Sequence, residues 1–216
     1  ISVEDIEVVP NSYSPMFMQA VAENRVKPTI APERHIVFCP GAGYPHKNFK
    51  FVPLVAAVLK RKRPDLHVEF LFTLPESDPT WFEVQSVAAK HNVAAFISTL
   101  GTVRNSDIAA HYLRSSAVLL PTLLEISTAT YPEAFMANVP ILTTDKDFSR
   151  ELCLDGAVYF DEGDETGAAT ELIRILTDAD FRLDLIEKGM KVLQTCYPSP
   201  QEKWELQRKV IERCLS

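Results

Sequence analysis

Glu125 and Glu133 frame a segment of seven residues, Ile126-Ser127-Thr128-Ala129-Thr130-Tyr131-Pro132, directly after the apolar run Ala117-Val118-Leu119-Leu120-Pro121-Thr122. That order predicts a strand, a polar turn and a helix. At the carboxyl edge of a parallel sheet such a turn presents hydroxyls, backbone N–H groups and a helix N-terminus to whatever fills the crevice. An ionised carboxylate there is an acceptor with several lone pairs, suited to the hydroxyls of a sugar. A second polar loop, Pro40-Gly41-Ala42-Gly43-Tyr44-Pro45-His46-Lys47-Asn48, follows another apolar run. Gly41 and Gly43 permit close backbone approach to a ligand, and Lys47, at the expected start of the next helix, stands where a phosphate would sit. The loop lacks the third glycine of a dinucleotide cradle, and by itself it reads equally as a tight turn with an exposed lysine.

The elements that must position these groups follow from periodicity. Strands are expected at Ile6–Val9, His35–Cys39, Val68–Leu74, Ala95–Ser98, Ala117–Leu120, Pro140–Thr143 and Val158–Phe160. Helices fill the gaps at Phe49–Leu59, Trp81–His91, from a cap at Ser106 or Asp107 to Ser115, at Glu133–Asn138 and at Phe148–Leu154. Alternation of strand and helix forces parallel pairing, because each helix is a crossover. The fold class is therefore α/β, a Rossmann-like doubly wound parallel sheet with helices on both faces. After Phe160 three helical stretches, Glu165–Leu176, Ala179–Leu193 and Gln201–Cys214, run without a strand between them and form a helical C-terminal tail in which Phe181 and Trp204 are the expected core anchors. Glu23–Arg34, rich in proline and charge, reads as a linker.

Composition limits what such a site can serve. The chain has 216 residues, 46% of them hydrophobic, enough for one sizeable core without staples. A formal net charge of −7 argues against nucleic acid and anionic membrane surfaces as partners, since both require a basic face. The basic run Lys60-Arg61-Lys62-Arg63 falls at a helix end, where it complements the dipole and solvates the surface. Cys39, Cys153, Cys196 and Cys214 have no paired spacing and read as reduced thiols. With no apolar run of membrane-spanning length and no signal peptide at the start, a cytoplasmic location is expected. The chain opens at Ile1 and reads as a piece excised from something longer.

Taken together, the Gly41–Asn48 loop, Leu100-Gly101-Thr102-Val103, the two glutamates, Val139-Pro140-Ile141-Leu142-Thr143-Thr144-Asp145 and Gly156-Ala157-Val158-Tyr159-Phe160-Asp161 resemble, in order and spacing, the carboxy-terminal half of a group 1 (family 4) glycosyltransferase of GT-B fold. The resemblance implies that residues 1–34 are the end of an interdomain linker with a first strand. Residues 35–195 would be a nucleotide-sugar-binding domain, and 196–216 a helix that packs toward a missing amino-terminal, acceptor-binding domain of the same polypeptide. It implies a retaining, metal-independent transfer of a hexosyl group from a nucleoside-diphosphate sugar, with no cofactor, to an acceptor that the missing half could meet at a membrane surface. Carried over residue by residue, Glu133 would accept the ribose hydroxyls, Glu125 would contact the transferred sugar, and Lys47 the distal phosphate. Glu125 and Lys47 would then be the groups closest to the chemistry. Ser127, Thr128 and Ala129 would share the diphosphate charge, Gly41 and Gly43 would bring the backbone close, and Gly101 and Val103 would wall the base.

The chain departs from the family pattern at two points. Ala42 stands where an arginine commonly follows the first glycine, and Ile126-Ser127-Thr128 replaces the Gly-Phe-Gly that commonly follows the first glutamate. Two other readings stay open at this level: the donor half of a GT-B sugar-nucleotide epimerase, and a GT-B-like module without catalysis.

Overall fold

A computed structural model describes residues 6–24 and 34–215. Its centre is a six-stranded, wholly parallel sheet in the order β3-β2-β1-β4-β5-β6, formed by β1 (His35–Cys39), β2 (Val68–Phe72), β3 (Ile97–Thr99), β4 (Ala117–Leu120), β5 (Ile141–Thr144) and β6 (Ala157–Phe160). Each helical crossover places a helix on one face or the other, as the alternation requires. On one face Val37, Phe70, Phe72, Ala117, Leu119 and Leu142 pack on α2 (Val52–Lys62), α3 (Pro79–Lys90) and α7 (Glu165–Thr177). On the other, Phe38, Leu71, Val118, Leu120 and Ile141 pack on α1 (Pro15–Glu23), α4 (Ile108–Leu113), α5 (Thr130–Met136) and α8 (Ala179–Cys196). Successive strand residues alternate between these two cores, the period-2 signature of a sheet buried on both sides. The helix α6 (Asp147–Cys153) links β5 to β6, and α9 (Pro200–Leu215) closes the chain.

Two sequence expectations fail. Ile6–Val9 is irregular, and Ile6 and Val8 are exposed. The segment joins neither edge of the sheet and is tied by side chains instead, with Arg213 of α9 donating to Glu7 at 2.6 Å and Lys203 to Asn11 at 2.7 Å. The chain next forms α1, a helix the strand pattern obscured. Its signals are local: Ser14 caps it by accepting from the amide of Phe17 at 3.4 Å, Pro15 sits in the first turn, and Phe17 and Val21, one turn apart, are buried. Residues 25–33, most of the expected linker, lie outside the described residues.

The second failure is Trp204. It is 55% exposed and no residue of α9 is buried, so it anchors no core. Phe181 does pack against the core, with the Arg174 guanidinium 3.6 Å from its ring centroid. Elsewhere the differences are shifts of a few residues. Phe49–Phe51 forms a 3-10 turn before α2, a second such turn at Ala94–Phe96 precedes β3, and α5 begins three residues earlier than expected, at Thr130.

Candidate functional site

The sheet changes direction between β1 and β4, which leave its centre toward opposite edges. A crevice opens at such a switch point, outside the carboxyl ends of the strands. The two loops that the sequence singled out are the ones that flank it. After β1, Gly41 adopts φ +143°, a conformation that strains any residue with a side chain. Its backbone is held by Thr73, whose hydroxyl accepts from the Gly41 amide at 2.9 Å and donates to the Gly41 carbonyl at 3.1 Å. Pro45–Lys47 then forms a 3-10 turn, and Asn48 takes the left-handed conformation at φ 51°, which asparagine tolerates better than most residues. The expected helix thus starts beyond Lys47, and Lys47 belongs to the loop. This loop is stitched to the one after β4: the carbonyl of His46 accepts from the Leu123 amide at 2.7 Å and from the Thr122 hydroxyl at 3.3 Å.

That stitching brings Lys47 and Glu125 together. The Lys47 ammonium is ion-paired and hydrogen-bonded to Glu125 Oε1, with the two side chains only 12% and 9% exposed. Thr122 Oγ1 donates to the same oxygen at 3.3 Å. An ammonium has three donors and a carboxylate about four acceptor positions, so the pair retains capacity on both partners toward a ligand. In so sheltered a setting the pair also neutralises two charges that would each be costly to bury alone.

Glu133 lies in the first turn of α5, partly buried. Burial pushes its carboxyl up to about 7, offset in part by the hydroxyl of Tyr112 on α4. The turn between the glutamates is divided. Thr128 Oγ1 accepts from the Thr130 amide at 3.3 Å and braces the helix start at Ala129. Ser127 Oγ accepts from Asn11 at 2.6 Å and so faces the amino-terminal segment. Leu124 and Ile126 project outward, Ile126 being 96% exposed.

Gly43 and the Gly101 loop stand apart from this group. A Cβ on Gly43 would fall 2.3 Å from Asp78 Oδ1, so that glycine makes room for the carboxylate that caps α3. Gly101, at φ +69°, and Val103 follow β3, which β2 separates from β1. Asp107 occupies the start of α4 without capping it, because its carboxylate is taken by Arg104 and Ser106 at 2.8 Å each. Asp145 and Asp147 carry an Asp-x-Asp spacing, and Arg150 holds Asp145 through bonds of 2.7 and 2.6 Å. Among the described residues no group of three or more His, Cys, Asp or Glu side chains could hold a metal ion, and no helix is long and apolar enough to cross a membrane. Sequence reasoning missed Thr73, Thr122 and Tyr112, the groups behind the expected ones. A threonine or tyrosine in an apolar stretch carries no signal of the loop it will brace.

A family profile described as Glycosyl transferases group 1 matches residues 21–192. The chain belongs to that family. No curated protein matches it. Among solved structures, this group 1 glycosyltransferase domain is similar to sucrose-phosphate synthase from Thermosynechococcus elongatus, with a TM-score of 0.75 at 16% identity over 97% of this chain and 52% of that one. It is similar to WaaG, described as a glycosyltransferase involved in lipopolysaccharide biosynthesis, with a TM-score of 0.73 at 18% identity over 93% and 56%. The C-terminal domain of a glycosyl transferase group 1 family protein from Francisella tularensis matches with a TM-score of 0.64 at 14% identity, over 85% of this chain and 94% of that one. The chain spans about half the length of the first two. The fold is thus that of the carboxy-terminal domain of a GT-B glycosyltransferase.

Proposed function

We propose that this domain is the nucleotide-sugar donor-binding half of a retaining, metal-independent glycosyltransferase that moves a hexosyl group from a nucleoside-diphosphate sugar to an acceptor hydroxyl. The observation that carries the reading is the meeting of Lys47 and Glu125 at the switch point of the sheet, bound there by the stitching of the β1 and β4 loops. In the transfer the bond from the anomeric carbon to the diphosphate oxygen breaks, and the diphosphate leaves with the electron pair. Lys47, with donors beyond the one given to Glu125, stabilises that developing charge without a metal. Backbone N–H groups at Ser127, Thr128 and Ala129 share it. Glu125 accepts from hydroxyls of the departing sugar, Glu133 from the ribose, and the Gly101–Val103 loop meets the base. The acceptor side of the cleft, in this reading, belongs to an amino-terminal domain of the same polypeptide.

A second reading, a GT-B-like module that no longer binds a donor, is favoured by Ala42 and by the partial neutralisation of Lys47 by Glu125. Calorimetric titration with UDP, GDP and their sugars separates the two. Micromolar to millimolar binding supports the donor reading, and no heat with any of them at millimolar concentration overturns it. Within a binding domain, Glu133→Ala weakens nucleoside and nucleoside diphosphate alike by roughly 1.5 to 3 kcal/mol, whereas Lys47→Ala weakens only the phosphorylated ligand.

A further inference from the structure

Tyr112 belongs to α4, outside both loops of the site, and is completely buried. Its ring is wedged edge-on between Phe17 of α1, with centroids 5.4 Å apart, and Phe38 of β1, 5.0 Å apart. A phenylalanine would satisfy that packing, yet the side chain carries a hydroxyl. This hydroxyl has no solvent and no hydrogen bond of good geometry within the protein, while its polar neighbours are the Glu133 carboxyl and the Thr130 hydroxyl on the first turn of α5. A buried polar atom without a settled partner costs stability, and its retention calls for a reason.

We propose that Tyr112 is a positioning residue for the ligand site: its hydroxyl donates to the Glu133 carboxylate from behind, keeping that group charged and oriented as an acceptor for a ligand's vicinal hydroxyls. The inference rests on the assignment of Glu133 to the ribose. The geometry suits the role, because Tyr112 is clamped by two aromatic contacts, and burial pushes its phenol well above the usual tyrosine range, so it keeps its proton through the neutral range in which the carboxyl ionises. Of the elements packed on α5, namely α1, α4 and α8, α4 brings the one titratable group that acts on this carboxyl among the described residues. Removing the hydroxyl therefore removes the one side-chain influence that favours the charged form and leaves the burial penalty less opposed.

The test reads Glu133 directly, by carbon-13 NMR titration of glutamate side-chain carboxyls in the free wild-type domain and in Tyr112→Phe, with Glu133→Gln to assign the signal. The Glu133 midpoint is expected near about 7 in the wild type, and about one pH unit higher in Tyr112→Phe. An unmoved midpoint overturns the proposal, even if the variant melts lower, because a purely packing role does not touch the titration. Should Tyr112→Phe fail to fold, the wild type decides: the Tyr112 ζ-carbon shift must follow pH with the Glu133 midpoint, and a flat profile overturns the proposal. In parallel, uridine and guanosine titrations are expected to be about five-fold weaker for Tyr112→Phe at pH 7, with the gap closing by pH 9. A wild type that binds neither nucleoside refutes the ribose assignment, while the carboxyl titration still judges the contact between Tyr112 and Glu133.

Discussion

Glu133 illustrates what desolvating a carboxyl costs the fold. Its carboxyl titrates near 4.5 when unfolded and is pushed up to about 7 by burial in the fold. The folded protein thus holds the proton more tightly, and the stability it gains is full below the unfolded value and lost as pH rises from about 4.5 to 7. The loss amounts to about 3 kcal/mol. Glu133→Gln is accordingly expected to be more stable than the wild type by about 1 to 3 kcal/mol in urea melts above pH 7, with the difference vanishing below pH 4.5. If Glu133 binds ribose as an ionised acceptor, wild-type nucleoside affinity should rise between pH 6 and 8, as calorimetry would show. Gly41 makes a complementary case. At φ +143°, with a Cβ position only 3.2 Å from the Phe49 ring, Gly41→Ala is expected to cost about 1 to 3 kcal/mol by chemical denaturation. Glu125, Lys47 and Gly41 were legible in the sequence because charge and glycine in a loop are conspicuous, and Glu133 because it is a charge at an expected helix start. Tyr112, Thr73 and Thr122 were not, since nothing local distinguishes a bracing side chain from a core one.

At the scale of elements, the site is two loops sewn into one unit. The sequence placed both after strands, but their union depends on β1 and β4 being neighbours although two strands and three α-helices separate them along the chain. The Lys47–Glu125 pair measures that union. Removing one partner leaves a sheltered charge uncompensated, so Lys47→Met or Glu125→Gln alone is expected to cost about 3 kcal/mol or more, and the double variant clearly less than the sum. Urea melts of the four proteins complete the cycle, and additive losses would show the pair to be energetically idle. Strand periodicity located β1 and β4 to the residue, since both are short, apolar and buried on each face. It misled at Ile6–Val9, because alternation in a four-residue run does not say whether a sheet edge is free to take it. The same stretch hid the Ser14-Pro15 start of α1, whose evidence was in its cap rather than in its period.

Across the whole molecule, the two ends of the described chain meet different fates. Phe17 of α1 is buried against Tyr112, so Phe17→Ala is expected to cost about 3 to 5 kcal/mol. Trp204, despite its size, lies exposed on a helix without a buried residue, and Trp204→Ala should change the stability of this chain by no more than about 0.5 kcal/mol in the same melts. Both substitutions remove a large aromatic ring, and the sequence pointed to Trp204 as a core anchor. What the sequence by itself determined is the α/β class, the parallel pairing, the family resemblance and the residues at loop tips, because these follow from local periodicity, spacing and residue chemistry. Only the tertiary structure decided that Lys47 and Glu125 form one sheltered pair, that Glu133 is desolvated above a buried tyrosine, that Gly43 serves a cap on α3, and that Ser127 turns toward the amino-terminal segment. Those facts depend on which strands become neighbours and on how much water is left between them, and no local pattern encodes either.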